Sequence, residues 1–237
     1  MRTNCTGWYF SVLTGTLLLW VMLAGCRNSP CPDGSNYVGA EPGKNTERWC
    51  EKHGDDGVTI EKDGPYFAYH TSEQLKSKGT YHNGKRHGEW QDFYPNGKLQ
   101  RKGRYDDGKE VGEWKYYASN GQLVMSGKFS NGKRNGLWTA WFENGNLKDK
   151  GEWQNGEANG HWVHFHRNGK KSKEGERENS AKSGKWTFWY ANGNKKSEGI
   201  FEKNMKQGIW KYWSQNGEAK PARRFEYGYE TTVPTGN

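Results

Sequence analysis

The sequence predicts an all-β protein: an elongated single-layer antiparallel β-meander of 24-residue two-stranded repeats, preceded by a small Cys-bridged module. Three observations lead there. Trp90, Trp114, Trp138, Trp162, Trp186 and Trp210 stand 24 positions apart, and Gly88, Gly112, Gly136, Gly160, Gly184 and Gly208 keep the same step two residues ahead. A fixed period of this length marks a repeat architecture. Turn dipeptides come twice per unit, as Asn83-Gly84 and Asn96-Gly97, then Asp107-Gly108 and Asn120-Gly121, and such pairs are the strongest short-range hairpin signal. The composition is 31% apolar, 15% aromatic, with 33 glycines in 237 residues. That is too little aliphatic side chain for a thick core, but it suits a thin sheet in which Trp and Tyr bury large areas with few rotatable bonds.

Residues 1–25 read as a secretion signal, with Arg2 followed by an apolar run from Tyr9 to Leu23 that is short for a membrane span. The run ends in Leu23-Ala24-Gly25-Cys26, which resembles the lipobox of bacterial lipoproteins. That resemblance implies cleavage before Cys26, thioether lipidation of Cys26 and acylation of the new amino terminus. One chain holds reversibly, whereas a multiply acylated residue anchors durably. An uncleaved anchor helix is the competing reading. Residue 27 is Arg, whereas an Asp there would imply inner-membrane retention in the lipoproteins of enteric-type bacteria. The expected address is therefore the cell envelope, with the outer membrane favoured over the inner.

Residues 26–54 read as a lipidated linker and disulfide-bridged cap. Of four cysteines, Cys5 lies in the signal and Cys26 takes the lipid, which leaves Cys31 and Cys50 as a pair outside the cytosol. A bridge there is worth about 3 kcal/mol in the chain-entropy model. The segment, rich in Gly, Pro and polar residues, has little else to bury. A two-Cys metal site lacks further ligands at suitable spacing.

A partial repeat occupies 55–78, six repeats fill 79–222, and 223–237 form a decayed repeat and flexible tail. If Asn96-Gly97 is a two-residue loop, Phe93 faces Gln100, Trp90 faces Gly103 and Gly88 faces Tyr105; the next unit sets Trp114 against Gly127 and Gly112 against Phe129. An aromatic covering a cross-strand glycine restores contact, so Trp114 is expected to cover Gly127, and Gly112 to sit beneath Phe129. The period-two rule puts Trp90, Tyr105 and Leu99 on one face. Phe93, Tyr117, Trp141, Phe165, Trp189 and Trp213 fall on the other, beside Gln100, Val124, Lys148, Ser172, Lys196 and Lys220. The six Trp are expected to span about 50 Å.

The units resemble MORN-type repeats, in the bacterial variant pattern G-x-[YF]-x-[ND]-G-K-x-x-G-x-W-x-x-[WYF]-x-x-N-G found in lipoproteins and in proteins grouped as toxin–antitoxin antitoxins. The resemblance covers Gly64 to about Tyr229 and implies a twisted single-layer sheet with an interaction role. It implies no substrate. Arg177 departs from the aromatic third position, Ser180 and Asn204 replace the turn glycine, and Lys171 and Lys195 stand where Leu75, Leu99, Leu123 and Leu147 stand earlier. The later units are expected to be looser and more basic.

Candidate chemistry is sparse. In HWVHFH, His164 and His166 point to one face and His161 to the other, so the three cannot meet one metal, and they read as surface-strand residues. Ser183-Gly184-Lys185 lacks the rest of a phosphate loop, and Asp55 with Asp56 lacks the remaining calcium ligands. The expectation is a protein that is not an enzyme and has no cofactor. With a net charge of +9, its Lys and Arg read as a solvated strand surface, and nucleic acid is unlikely as a partner; a Lys-rich face on anionic lipid is a further reading. The expected function is a lipid-anchored envelope protein whose aromatic sheet is a binding or scaffold surface for protein or glycan. The alternative is an antitoxin or immunity-like protein neutralising a toxin. Candidate contacts are the six Trp together with Tyr116, His164, Phe188 and Tyr212, where the units differ, although packing alone also accounts for the Trp.

Overall fold

A computed structural model of the chain describes residues 31–39 and 46–231. The signal read at 1–25 and the lipid attachment read at Cys26 lie outside the described residues. What is described is one open sheet of 17 strands, each antiparallel to its neighbours in sequence.

Strands β1 (Asn36–Val38) and β2 (Glu47–His53) make the expected cap. The Cys31–Cys50 disulfide closes it, with Cα atoms 5.5 Å apart, and Cys50 is fully buried. Strand β3 (Ile60–Tyr69) leads into the repeats, which alternate eight-residue and nine-residue strands: β4 (Leu75–His82), β5 (Lys85–Phe93), β6 (Leu99–Asp106), β7 (Lys109–Tyr117), β8 (Leu123–Ser130), β9 (Lys133–Trp141), β10 (Leu147–Gln154), β11 (Glu157–Phe165), β12 (Lys171–Glu178), β13 (Ala181–Trp189), β14 (Lys195–Glu202), β15 (Met205–Trp213) and β16 (Ala219–Glu226). The three-residue β17 (Tyr229–Thr231) follows.

Two kinds of turn join them. At Asn83-Gly84 both φ angles are positive, +48° and +72°, the two-residue type I′ form expected of such dipeptides. Ser180 (+68°) and Asn204 (+69°) hold the glycine position of this turn in the same conformation. Their side chains help fix it: the Ala158 amide donates to Ser180 Oγ at 3.0 Å and the Lys182 amide to Asn204 Oδ1 at 2.7 Å.

The Asn96-Gly97 turn departs from expectation. The Tyr94 amide donates to Lys98 O and the Gly97 amide to Tyr94 O, and only Gly97 has a positive φ, +77°. This is a three-residue loop of Pro95, Asn96 and Gly97, a type I turn ended by a left-handed glycine. Phe93 therefore faces Leu99 instead of Gln100, and Leu99 joins the Phe93 face instead of the Trp90 face. Gln100 then bulges out, the register slips back by one, and Trp90 still faces Gly103 while Gly88 still faces Tyr105. The extra loop residue and the bulge cancel. Asparagine recurs here because its side chain ties neighbouring units: Asn96, Asn144, Asn168 and Asn192 Nδ2 donate to Ser119, Arg167, Ala191 and Gln215 carbonyls.

A second bulge decides where the indoles lie. Between β6 and β7 the pairing jumps from Lys102↔Lys115 to Arg104↔Val111, and Gly112 sits there at φ +66°. The kink swings Trp114 back over the preceding strand. A Cβ on Gly103 would lie 2.2 Å from Trp114 Cδ2, whereas one on Gly112 would meet nothing within 4 Å. Two expectations are corrected together. Trp114 pairs with Gly127 by backbone but covers Gly103, and Gly127 is covered by Trp138. Gly112 is glycine because of its left-handed backbone, with no ring above it.

The two glycine classes separate by experiment. In Gly127→Ala the new methyl would sit 2.1 Å from Trp138 Cδ2, an overpacking expected to cost about 3 kcal/mol. Gly136→Ala meets no atom and should cost only the left-handed penalty, about 1–2 kcal/mol. Urea midpoints by circular dichroism should rank wild type above Gly136→Ala above Gly127→Ala.

Candidate functional site

The first candidates, the six periodic Trp, are 0–6% exposed. Each indole lies on a glycine, Gly79, Gly103, Gly127, Gly151, Gly175 or Gly199. The ring N–H is spent on backbone carbonyls, as in Trp90 to Thr80 O (3.1 Å), Trp138 to Lys128 O (3.0 Å) and Trp186 to Glu176 O (2.9 Å). Rings from the adjacent strand stand edge-on against them: Tyr105 to Trp114 at 5.1 Å and 85°, Phe129 to Trp138 at 5.0 Å and 88°, Phe201 to Trp210 at 5.0 Å and 82°. A partner does not reach these indoles directly.

Above them lies a layer that the sequence reading did not find. Arg86 is 4.4 Å from the Trp90 ring, Arg101 5.5 Å from Trp114, Arg134 4.3 Å from Trp138, Arg177 5.3 Å from Trp162, Lys182 5.3 Å from Trp186 and Lys206 4.5 Å from Trp210. Every Trp of the row thus carries a cation over its face, worth about 0.5–2 kcal/mol each. Arg86, Arg134, Lys182 and Lys206 share one slot, four residues before the Trp. Where that slot holds Glu110, Arg101 supplies the charge from the neighbouring strand, held by Asp92 at 2.5 Å and Glu110 at 3.6 Å. Where it holds Ala158, Arg177 does so from the position other units give to an aromatic. The 24-residue recurrence of these cations was the available signal, obscured by the two units in which the charge changes strand.

The row where the units differ is half-buried and reachable. Tyr116 bridges Trp114 and Trp138, His164 bridges Trp162 and Trp186, Phe188 bridges Trp186 and Trp210, and Tyr212 rests on Trp210. Ala140 fills the corresponding slot between Trp138 and Trp162, and there the buried aromatic layer divides into two clusters. Burial pushes the Tyr116 phenol up to about 12. Burial, with Lys173, Arg177 and Lys182 nearby, pushes His164 down to about 4, and its Nε2 is enclosed without a hydrogen-bond partner.

The remaining candidates are structural. His166 Nε2 lies 3.0 Å from Trp189 O, as His70 Nε2 lies 2.8 Å from Phe93 O four frames earlier. His161 pairs with Glu176 at 3.0 Å on the other face. Asp56 serves its own turn, where bonds from the Thr59 hydroxyl and the Thr59 and Val58 amides hold it down at about 2. Among the described residues no three His, Cys, Asp or Glu side chains converge on a metal position. The second face carries Phe93, Tyr117, Trp141, Phe165, Trp189 and Trp213, half-buried, with Lys171 and Lys195 ion-paired to Glu174 and Glu198.

This geometry, a hairpin per 24 residues with one indole sealed onto each cross-strand glycine, coincides with a family model. The model of the MORN repeat variant matches residues 62–83, 86–107, 110–131, 134–155 and 182–203. These five segments, together 110 of the 237 residues, are similar to MORN-variant repeats. No curated relative matches the chain. The match passes over 158–179, the frame in which Ala158 stands at the cation slot and Arg177 at the aromatic slot.

His164 gives this surface a pH dependence. Above pH 6.5 it is neutral whether folded or unfolded. Between 6.5 and about 4 the unfolded chain takes up a proton that the folded site refuses, so stability falls with pH across that window. His164→Phe, the residue found in the equivalent slot at Phe188, removes this term. The slope of urea midpoint against pH between 6.5 and 4 should be shallower in the variant.

Proposed function

We propose that this protein is a non-enzymatic, lipid-anchored envelope protein whose MORN-variant sheet is a binding or scaffold surface. The observation that carries the reading is the capped Trp row: six indoles sealed against glycine, each under a cation, repeat at roughly 10 Å intervals. Such a face is rigid before any partner arrives, so little ordering entropy opposes docking. Its reachable groups are charges and ring edges in a linear array, which suit an extended partner. The anchor rests on the lipobox ending at Cys26, outside the described residues, and the Cys31–Cys50 bridge accords with a compartment where disulfides persist.

Cys26→Ser tests the anchoring. In a bacterial host that processes lipoproteins, wild type should sediment with membranes and partition into detergent, while Cys26→Ser should appear in the soluble fraction with its sheet spectrum unchanged. Soluble wild type would remove the lipid anchor from the proposal.

A further inference from the structure

The charge on the Trp face is not evenly compensated. In the N-terminal half Arg101 pairs with Asp92 and Glu110 on the same face, and the Glu110 carboxylate also attracts Arg86 and Arg134, which make no ion pair among the described residues. Beyond Asp149, which attracts Lys173 and Arg177, that face carries Lys173, Arg177, Lys182, Lys206 and Arg223, of which Arg223 pairs with Glu230 at 3.2 Å. The strands alternate their glutamates to the opposite face, where Glu174 and Glu198 hold Lys171 and Lys195. Among the described residues Lys173, Arg177, Lys182 and Lys206 make no ion pair; Arg177 bonds Ser180 O at 2.7 Å and Lys206 the Tyr212 hydroxyl at 3.0 Å. Arg177 and Lys182 are direct cross-strand partners, a like-charge pairing that opposes folding. Burial, then Lys173, Arg177 and Lys206, lower the Lys182 ammonium below its usual range.

A second feature lies at the end of the row, where Tyr212 and Arg223 meet Trp213 of the second face. Near the C-terminal end, Tyr190, Lys196, Tyr212, Trp213, Lys220 and Arg223 line a depression of about 230 Å³. Three rings and three cations meet there, of which Arg223 is paired with Glu230 outside the lining. Lys182 and Lys206 occupy equivalent slots two strands apart, roughly 10 Å, a step comparable to one β-linked disaccharide. The row crosses the strands, whose paired backbone N–H and C=O groups point along the sheet toward neighbouring strands rather than out of the face. Recognition here runs through charge and ring contact alone, which suits a sugar chain better than a peptide.

We infer that the Trp face from Lys173 to Arg223 is the docking surface for a linear acidic polysaccharide with one carboxylate per disaccharide. The inference rests on the binding-surface reading above and names its partner class. Like-charged side chains held side by side on aromatic rings are relieved by a polyanion, and the 10 Å step places one carboxylate at each cation pair.

The test is titration of the full-length chain in detergent with a hyaluronan decasaccharide, a neutral chitin oligomer of equal length and poly-L-glutamate. Hyaluronan should bind, weaken with added salt, and lose at least about tenfold in affinity in Lys182→Gln/Lys206→Gln. Lys171→Gln/Lys195→Gln, which removes the same charge from the opposite face, should stay within about twofold of wild type. Indole fluorescence checks that both variants fold. No hyaluronan binding, an unchanged affinity in the first variant, or equal binding of chitin would overturn the assignment; equal binding of poly-L-glutamate would give the face to acidic peptides instead. If hyaluronan fails while the immobilised chain still retains an envelope component, the polysaccharide falls and the binding surface stands. If both fail, both fall.

Discussion

The contact between each indole and the glycine beneath it is the constraint on which the sheet depends. A Cβ at Gly79, Gly103, Gly127, Gly151, Gly175 or Gly199 would lie 2.1–2.6 Å from the ring atoms above it, closer than non-bonded carbons approach. With no Cβ, the ring settles onto the backbone and a single layer acquires something like a core. Burying an indole yields about 3 kcal/mol or somewhat more, and edge-on ring partners add about 0.5–1.5 kcal/mol each. Each unit leans on its neighbours through these contacts, so stability accumulates along the array as a sum of local terms.

Above that core the sheet solves a second problem. A one-layer structure has no second sheet to cover its aromatics, and cations do so instead. Arg and Lys stems lie across the rings while their charged ends remain near water. The arrangement tolerates exchange between strands, as Arg101 and Arg177 illustrate, because the ring quadrupole attracts a cation from whichever neighbour supplies it. The outer surface is consequently charged and flat, without a deep cleft among the described residues. Binding on such a surface draws on spacing and charge more than on enclosure.

The two faces are chemically distinct for a backbone reason. On the second face the Lys at the Leu slot sits opposite an aromatic and within reach of a glutamate three residues on, so charge is neutralised locally. On the Trp face, strand alternation places cation next to cation; Asp149 attracts Arg177 and Lys173, while Lys182 faces Lys173, Arg177 and Lys206. Stored repulsion of that kind favours an anionic partner and makes association salt-dependent.

The sequence alone determined the all-β class, the 24-residue unit, the antiparallel meander, the Cys31–Cys50 pairing and the register of Trp90 with Gly103. All of these follow from periodicity and turn chemistry, which are local and survive in a linear string. It misplaced Leu99 and the indoles because a three-residue loop and a compensating bulge leave the long-range count unchanged while reversing a face. It also missed the left-handed kink at Gly112, since a glycine required for its φ and one required for lack of a Cβ look alike in one dimension. Only the tertiary structure decided which glycine each Trp covers, that a cation caps every one, and that Lys173, Arg177, Lys182 and Lys206 make no ion pair among the described residues while Arg223 pairs with Glu230. Those depend on which way side chains lean between strands, and neighbours 9 to 24 residues away settle that direction only once the sheet is assembled.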